Sequence, residues 1–345
     1  MAALLPIDGA RRLGGGLGLR AALTLAAVTG QGFEMTRIRA GRPRPGLDAQ
    51  QLATLRALTL ASGARVGGAF DGSPDLRFEP GPVAPGAFEF ELATAGATSL
   101  LLQALLPVLA TADTPSQVSV TGGTHVPHSP SYEYLARHWS DVVRRLGLSV
   151  RLELERVGFF PAGGGKVRGE ALGFARPASL VLEERGSLVA VRGVSGAGRV
   201  KGDVAKRQRD AAQARLWEAR RFDTLWEVIE PASGSPGSFL FLEAEFERGR
   251  GAFAFLGERG VRPERLGDRA ARTLLKFLDA EGAVDPRLAD QLVVPIALAG
   301  GGGRVSTSEL TPQLETVVAL ATLFGIRART WGRRGGPGGF EIERV

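Results

Sequence analysis

The sequence predicts an α/β (α+β) protein built from three repeated β-α-β-α-β-β units, with a smaller α/β domain inserted into the third unit. Apolar residues follow the periods of strands and helices along most of the 345 residues. The same order of elements then recurs after roughly 80 to 90 residues, which indicates an internal duplication. A segment of different order interrupts the third copy, and an inserted domain explains it most simply.

The first unit is predicted from alternation in its strands and helical spacing in its two longer segments. An Asp at the start of the second helix supplies an N-cap. The predicted elements, in the order β-α-β-α-β-β, are residues 4–7, 17–29, 33–39, 48–61, 65–69 and 76–79.

The second unit repeats this order, and the third does so around the insertion. The second unit comprises residues 88–92, 97–110, 117–121, 132–146, 149–156 and 166–169. The third comprises residues 180–183, 286–298, 304–307, 312–324, 327–331 and 340–344. The insertion comprises strands at 189–194, 226–229, 239–246 and 252–256 and helices at 203–221 and 265–277. We therefore predict a repeat domain at 1–184 and 284–345 and an inserted domain at 185–283.

Two counts in the composition limit the possible chemistry. The chain has no cysteine, which excludes disulfides, thiolate zinc sites and a thiol nucleophile. It has three histidines, His125, His128 and His138, all within one short window. A mechanism that depends on histidine must use that window.

The chain carries a net charge of +7, and only four of its 43 basic residues are lysines. Arginine suits bidentate binding of phosphate, which favours a nucleotide or RNA partner. The alternative is a GC-rich genome, in which arginine codons replace lysine codons. Without an export signal or a long apolar stretch, we expect a cytoplasmic protein that does not contact a membrane.

Two loops in the first unit have the composition of anion-binding sites. The glycine run Gly14–Gly16 joins a strand to a helix, where free N–H groups point outward. A tight turn is the alternative interpretation. The segment 38–47 presents Arg39, Arg42 and Arg44 between prolines and glycines, which predicts either phosphate binding or a solvated basic turn.

Two further motifs are weaker indications. His125 and His128 lie three residues apart and could bind a metal, but only Glu133 and His138 are near enough in the sequence to add a third ligand. Pro127 and Pro130 also argue against a regular helix that holds the pair, so a capped helix entry is favoured over a metal site. Asp290, in a Leu-Ala-Asp-Gln run at a helix start, is a candidate ligand for a metal or a ribose. Favourable charge at the helix start is the alternative.

Taken together, these segments resemble the RNA 3′-terminal phosphate cyclase family. The shared runs are IDG and GGG near the start, IRAGR with PGL, and TAG with SLLLQ and LLP over 94–107, followed by GGTHVP, GFFPAGGG, LADQL and ALAGGG. They occur in the family's order from residue 7 to about residue 325. Each run alone is weakly specific, but the set is specific to the family.

The resemblance implies the fold predicted above and a reaction. ATP adenylates an enzyme histidine, AMP passes to an RNA 3′-phosphate, and the neighbouring 2′-hydroxyl displaces AMP to leave a 2′,3′-cyclic phosphate. A divalent metal, Mg²⁺ or Mn²⁺, assists in active members. The implied partners are ATP and RNA with a 3′-phosphate end, and RNA processing is the implied role.

The resemblance also implies roles for residues at matching positions. Those that match positions around the phosphates or RNA are Arg20, Arg39, Arg42 and Gln50. Those that match nucleotide-binding positions are Gln103, Arg287, Leu288, Ala289, Asp290 and Gln291. Arg287 replaces the family's usual His or aromatic residue, and a guanidinium can still stack on a base.

Three positions depart from the family pattern. The glycine loop's usual Glu and Gln are replaced by Leu13 and Leu17, and Arg11 and Arg12 make the loop basic instead. Gln313 occupies the position of the nucleophilic His, and a carboxamide nitrogen is not a useful nucleophile.

Residue 313 also has a defined predicted setting. Thr311 and Pro312 should be the N-cap and first residue of a helix, where a neutral imidazole would be well placed to attack a phosphate. The side chain of Glu315, two positions further on, should face a different side of the helix from residue 313. The sequence therefore leaves two hypotheses. The first is a cyclase that uses another nucleophile, such as His125 or His128, or whose active site is completed differently. The second is a non-catalytic homologue that binds RNA ends or nucleotide.

Overall fold

The computed structural model describes residues 3–11, 13–174 and 179–344. The strands are β1 (Leu5–Asp8), β2 (Phe33–Thr36), β3 (Arg65–Gly67), β4 (Leu76–Glu79), β5 (Ala87–Glu91), β6 (Ser116–Gly122), β7 (Leu148–Arg156), β8 (Gly165–Phe174), β9 (Leu180–Leu182), β10 (Leu188–Gly198), β11 (Leu225–Ile229), β12 (Gly237–Phe246), β13 (Arg250–Leu256), β14 (Gly303–Thr307), β15 (Ala328–Gly332) and β16 (Gly338–Ile342). The α-helices are α1 (Gly16–Thr29), α2 (Ala49–Ser62), α3 (Thr98–Leu109), α4 (Ser140–Arg145), α5 (Val204–Arg220), α6 (Pro263–Asp279), α7 (Pro286–Ala299) and α8 (Pro312–Leu323).

Three of the four sheets share one connection pattern. Their strand orders are β1-β2-β4-β3, β5-β6-β8-β7 and β9-β14-β16-β15. In each sheet the first pair is parallel and the other two pairs are antiparallel. A parallel pair needs a crossover connection, which α1, α3 and α7 supply. This shared topology confirms the predicted α/β class with repeated units.

The fourth sheet, β11-β10-β12-β13, lies between β9 and α7 in the sequence. Helices α5 and α6 pack on it through a cluster of buried apolar residues separate from the main core. Leu216 of α5, Leu240 of β12 and Leu274 of α6 are fully buried there. These elements fall within 185–283, and the exact domain boundaries stay a prediction.

The main core lies between the helices of the three units. Helix α1 is at its centre and contacts α2, α3, α7 and α8. Leu19, Leu23 and Leu25 of α1 are almost completely buried, and each such side chain stabilises the fold by about 1.5–3 kcal/mol. No helix in the described parts of the chain is long and apolar enough to cross a membrane. This packing brings the starts of α1 and α8 to one cavity.

Several elements differ from their predictions in extent or type, and three of these differences are instructive. Strand β2 ends at Thr36, because Arg37 and Arg39 have φ angles of 55° and 52° that a strand does not accommodate. The helix predicted over 132–146 begins as a π-helix at Tyr134–Trp139 before α4. Strand β8 continues to Phe174, since it pairs with β7 well beyond residue 169.

Candidate functional site

A cavity of about 990 Å³ lies where elements of the first and third units meet, and Leu100 and His128 of the second unit also line it. Its walls are the glycine loop with the start of α1, the loop from β2 to α2, the first turns of α2, and the start of α8. Five residues whose positions match the phosphate, RNA or nucleophile positions of the resemblance line it, namely Arg20, Arg39, Arg42, Gln50 and Gln313. The fold therefore gathers residues from opposite ends of the chain around one space.

The glycine loop combines a tight turn with an open helix start. A Cβ on Gly14 would lie 2.9 Å from the Gly9 carbonyl oxygen, so Gly14 serves close packing of the turn. A Cβ on Gly16 would meet nothing closer than Arg20 Nη1 at 3.7 Å. Gly15, the N-cap of α1, provides no side-chain acceptor for the first N–H groups of the helix. Since Gly15 and Gly16 line the cavity, these N–H groups can meet an anion there.

The loop between β2 and α2 holds Arg39 in place. Its Nη1 donates to Asp48 Oδ2 at 2.8 Å and to the Gly46 carbonyl at 3.2 Å. The other oxygen of Asp48 accepts from the Gln51 backbone N–H at 2.9 Å and completes the capping box of α2. Arg42 is exposed and makes no ion pair with any described residue. Arg39 is thus a fixed cation, and Arg42 is free to bind an anion.

Gln50 connects the first unit to the second. Its Oε1 accepts from the Ala97 backbone N–H at 2.7 Å, and its Nε2 donates to the Ala97 carbonyl at 3.3 Å. Ala97 is the N-cap of α3. Both ends of the Gln50 amide are therefore engaged with backbone, although its side chain still lines the cavity.

Three of the candidate nucleotide residues, Gln103, Asp290 and Gln291, line a second, smaller pocket of about 40 Å³ beside the cavity, and Arg20 lines both. Gln103 Nε2 donates to Gln291 Oε1 at 2.6 Å across this pocket. Burial raises the pKa of Asp290 to about 8, against the opposing effect of Arg20. Burial likewise lowers the pKa of Arg20 to about 10. Asp290 is consequently mostly protonated at neutral pH.

The remaining residues of this run lie elsewhere. Leu288 and Ala289 are fully buried in the main core, where they hold α7 in position. Arg287 is exposed and lines neither pocket. Their nucleotide-binding role stays a prediction.

Gln313 is the second residue of α8 and faces the cavity. Thr311 is the N-cap, with its hydroxyl accepting from the Leu314 N–H at 3.1 Å, and Pro312 is the first helical residue, as predicted. Glu315 accepts hydrogen bonds from Arg334 at 2.9 and 2.5 Å and does not line the cavity. The helix start is built as the sequence predicts, and it presents a carboxamide.

Comparison with known proteins identifies the family. The family profile described as "RTC: RNA 3'-terminal phosphate cyclase" matches residues 11–329. The chain belongs to the RNA 3′-terminal phosphate cyclase family. It is similar to proteins named RNA 3'-terminal phosphate cyclase from Ralstonia nicotianae, with 42% identity over 92% of this chain and 90% of the relative, and from Ectopseudomonas mendocina, with 39% identity over 92% of each. A third, from Methylococcus capsulatus, is 38% identical over 94% of this chain and 91% of its own.

Among solved structures, the enolpyruvyl transferase NikO from Streptomyces tendae matches 99% of this chain and 48% of its own. The sequence identity is 12% and the TM-score 0.37, a similarity too low to support a comparison of folds.

In this member of the cyclase family, the three histidines have different environments. His125 is buried, with Nε2 2.7 Å from Glu133 Oε2 and Nδ1 2.8 Å from Thr124 Oγ1. His138 is completely buried. His128 is exposed, has a φ of 63° and lines the cavity together with Gln313. Of the two histidines that the sequence offers as substitute nucleophiles, only His128 faces the site.

His138 belongs to a buried polar cluster that sequence reasoning missed. Its Nε2 lies 2.7 Å from Asp285 Oδ2, and its Nδ1 lies 2.9 Å from Glu243 Oε1. Tyr134 donates to Asp285 Oδ1 at 2.9 Å, and Arg250 donates to Glu243 Oε1 at 2.8 Å. Burial opposes protonation of His138, but the hydrogen bonds to both carboxylates outweigh it and raise its pKa. No sequence pattern marks this cluster, because its members are scattered over three segments.

The departures from the family pattern also have structural positions. Leu17 lines both pockets, and Leu13 packs against the main core. Arg12 and the side chain of Arg11 lie outside the described residues. The described residues contain no group of three or more His, Asp or Glu side chains placed to hold a metal ion.

Proposed function

We propose that the protein binds ATP and the 3′-phosphate end of an RNA in the cavity and converts that phosphate into a 2′,3′-cyclic phosphate. The observation that carries this proposal is the convergence of Arg20, Arg39 and Arg42 with the uncapped start of α1 on one cavity. Guanidinium groups and helix N–H groups are the donors that phosphate oxygens prefer in proteins. The family membership supplies the reaction class.

The chemistry explains why two phosphate-bearing ligands must share the cavity. A phosphate monoester does not cyclise readily, because the oxygen that would leave is a poor leaving group. An oxygen of the RNA 3′-phosphate therefore forms a bond to the α-phosphorus of ATP, and the bond from that phosphorus to pyrophosphate breaks. The 2′-oxygen then attacks the 3′-phosphorus, its proton goes to solvent, and AMP leaves.

Gln313 determines which variant of this reaction the site supports. The amide nitrogen shares its lone pair with the carbonyl and cannot take up AMP. We infer that AMP passes directly from ATP to the RNA phosphate, with Gln313 acting as a hydrogen-bond donor at the helix start. The side chain of Gln313 is exposed in the cavity, so its amide is available for that contact.

A divalent cation fits this site only together with the phosphates of ATP. Asp48 is the one carboxylate among the described residues that line the cavity, and both of its oxygens already accept hydrogen bonds. Mg²⁺ commonly binds through substrate phosphates and retained water. When bound, it would neutralise phosphate charge, while Arg39 and Arg42 orient the phosphates.

The second candidate function is non-catalytic binding of RNA ends or nucleotide, with a role in RNA processing. Gln313 and Leu13, which replace a nucleophile and a carboxylate of the family pattern, favour it. The cavity and its arginines serve this function equally well. For either function we propose a cytoplasmic location, which the absence of cysteine from the sequence supports.

One experiment separates the two functions. A 5′-labelled RNA with a 3′-phosphate is incubated with ATP and Mg²⁺ or Mn²⁺ and then treated with phosphatase. The cyclase proposal predicts an ATP-dependent, phosphatase-resistant product, greatly reduced in Arg42→Ala and unchanged in Arg259→Ala, which removes an exposed arginine outside the cavity. Tight binding of the RNA without any resistant product would establish the binding function instead.

A further inference from the structure

Beside the cavity lies a recess, distinct from the smaller pocket described above. Neither the family resemblance nor the proposed reaction assigns a ligand to this recess. This recess has a volume of about 470 Å³ and shares Gly15, Gly16, Arg39, Arg42 and Asp48 with the cavity. Pro43 and Arg44 line the recess alone. The recess therefore adjoins the cavity, and Arg44 lies on the side that the cavity does not share.

The charge of the recess is strongly positive. Asp48 is compensated by Arg39, whose guanidinium lies 2.8 Å from it. Arg42 and Arg44 are exposed and have no ion pair or side-chain hydrogen bond with any described residue. Many of the protein's other arginines are paired with a carboxylate on the surface, among them Arg207, Arg215 and Arg329. The recess thus offers two uncompensated cations, separated in the sequence only by Pro43.

The loop that carries these arginines has a well-supported backbone. The Gly46 N–H donates to the Ile38 carbonyl at 2.8 Å and closes the base of the loop. Gly46 has a φ of 80°, and a Cβ there would lie 2.1 Å from the Gly72 carbonyl oxygen, so a neighbouring loop packs directly against it. Pro43 and Pro45 restrict the backbone on both sides of Arg44. Little backbone entropy is lost when the guanidinium groups bind an anion.

We propose that this recess binds the backbone phosphate of the RNA strand that precedes the terminal nucleotide. The inference rests on the proposed function, since it places the terminal phosphate in the cavity. It adds that the protein selects the end of a polynucleotide over a single nucleotide with a 3′-phosphate. Arg44 contacts the internucleotide phosphate, and Arg42, which lines both spaces, lies between the two phosphates.

The test compares three ligands without ATP. They are uridine 3′-phosphate, a 3′-phosphorylated uridine dinucleotide, and the same dinucleotide with a methylphosphonate linkage that carries no charge. Both dinucleotides have a 2′-O-methyl group on the first ribose to prevent cleavage of the linkage. We expect wild-type protein to bind the charged dinucleotide roughly tenfold tighter than either other ligand, as one charge-assisted contact provides.

The variant Arg44→Ala should lose that advantage and bind all three ligands equally, with unchanged affinity for uridine 3′-phosphate. On a longer single strand, the slope of log K against log salt should decrease by about 0.7, the value for one lost phosphate contact. The matched control Arg259→Ala removes the same charge from an exposed position elsewhere and should leave the tenfold advantage intact.

Three results would overturn the inference. Equal wild-type binding of all three ligands would show that no strand phosphate is recognised. Weaker binding of ATP to Arg44→Ala, with dinucleotide binding unchanged, would assign the recess to the triphosphate of ATP. An equal loss of the tenfold advantage in Arg44→Ala and Arg259→Ala would show that this advantage comes only from general charge attraction. If wild-type protein bound none of the three ligands, the proposed function itself would fail.

Discussion

The Nε2 atom of His138 lies 2.7 Å from the Oδ2 atom of Asp285, although 147 residues separate them. Asp285 is also the N-cap of α7, where its Oδ1 accepts from the N–H groups of Arg287 and Leu288. Helix α7 carries Asp290 and Gln291 in the smaller pocket. A buried imidazole thus fixes the start of the helix that forms the candidate nucleotide pocket.

We expect His138→Ala to lower the free energy of unfolding by about 3–5 kcal/mol, the usual cost of removing one partner from a buried charged pair. The loss leaves Asp285 and Glu243 buried without their shared donor, while Arg250 still pairs with Glu243 and Asp141. Urea unfolding of the wild type and of His138→Ala measures this decrease in the free energy of unfolding. An exposed substitution such as His128→Ala should cost less than about 0.5 kcal/mol.

The pH dependence of stability follows from the same cluster. The pKa of His138 is raised, so its contribution is complete below the unfolded value of about 6.5 and is lost as pH rises through the folded pKa. Burial raises the pKa values of Asp285 and Glu243, but the hydrogen bonds and charge of His138, together with those of their other partners, lower both pKa values overall. The contributions of the two carboxylates are therefore lost as pH falls below about 4. Stability should therefore fall above pH 6.5 in the wild type and less steeply in His138→Gln. Parallel curves for the two proteins would contradict this assignment.

Asp290 should make ATP binding depend on pH. Because its pKa is raised to about 8, the carboxyl group is mostly neutral below pH 8 and becomes an anion above it. An anion beside the phosphates should weaken ATP binding by about tenfold, or about 1.4 kcal/mol, between pH 7 and 9. Titration calorimetry with Asp290→Asn should show a flat profile over that range. The control Asp279→Asn, at an exposed carboxylate of α6, should keep the wild-type profile.

Gln313 should prevent formation of a protein–AMP adduct at the start of α8. We expect no labelled band after incubation of the wild type with α-labelled ATP and Mn²⁺ followed by denaturing electrophoresis. Gln313→His, alone or with Leu13→Glu, should restore an acid-labile band, while Gln313→Ala should not. A wild-type band that disappears in His128→Ala would contradict direct transfer and identify His128 as the nucleophile.

Gly16 should matter for binding and not for folding. An added Cβ meets no protein atom within 3.7 Å, so Gly16→Ala should leave the melting temperature unchanged or slightly higher, since Ala favours helix. The new methyl group would project toward the cavity and should weaken binding of RNA 3′-phosphate by about tenfold, the effect of losing one charge-assisted contact. Gly14→Ala, by contrast, should destabilise the turn, because its Cβ would lie 2.9 Å from Gly9. Equal effects of the two substitutions on stability would refute the distinction.

Local patterns predict most of the fold because they report burial directly. The strand pattern over residues 239–246 and the Asp before α2 correspond to β12 and to a capping box, although β12 is buried on both faces over most of its length. The end of β2 was not predictable, since positive φ angles at Arg37 and Arg39 depend on tertiary contacts. The family resemblance, and not a local pattern, predicted that the arginines and Gln313 belong to one site. It could not find the pair of His138 and Asp285, which exists only after distant segments pack together.

The position of Gln313 has a consequence for biosynthesis. The cavity takes one wall from the start of α1 and another from the start of α8, which lie near the two ends of the chain. A ribosome must therefore add roughly 300 residues after the glycine loop before these walls can meet. The glycine loop and its arginines emerge early, yet a complete binding site cannot form on a nascent chain that lacks α8. A growing polypeptide thus cannot capture an RNA end in this cavity until α8 has left the ribosome.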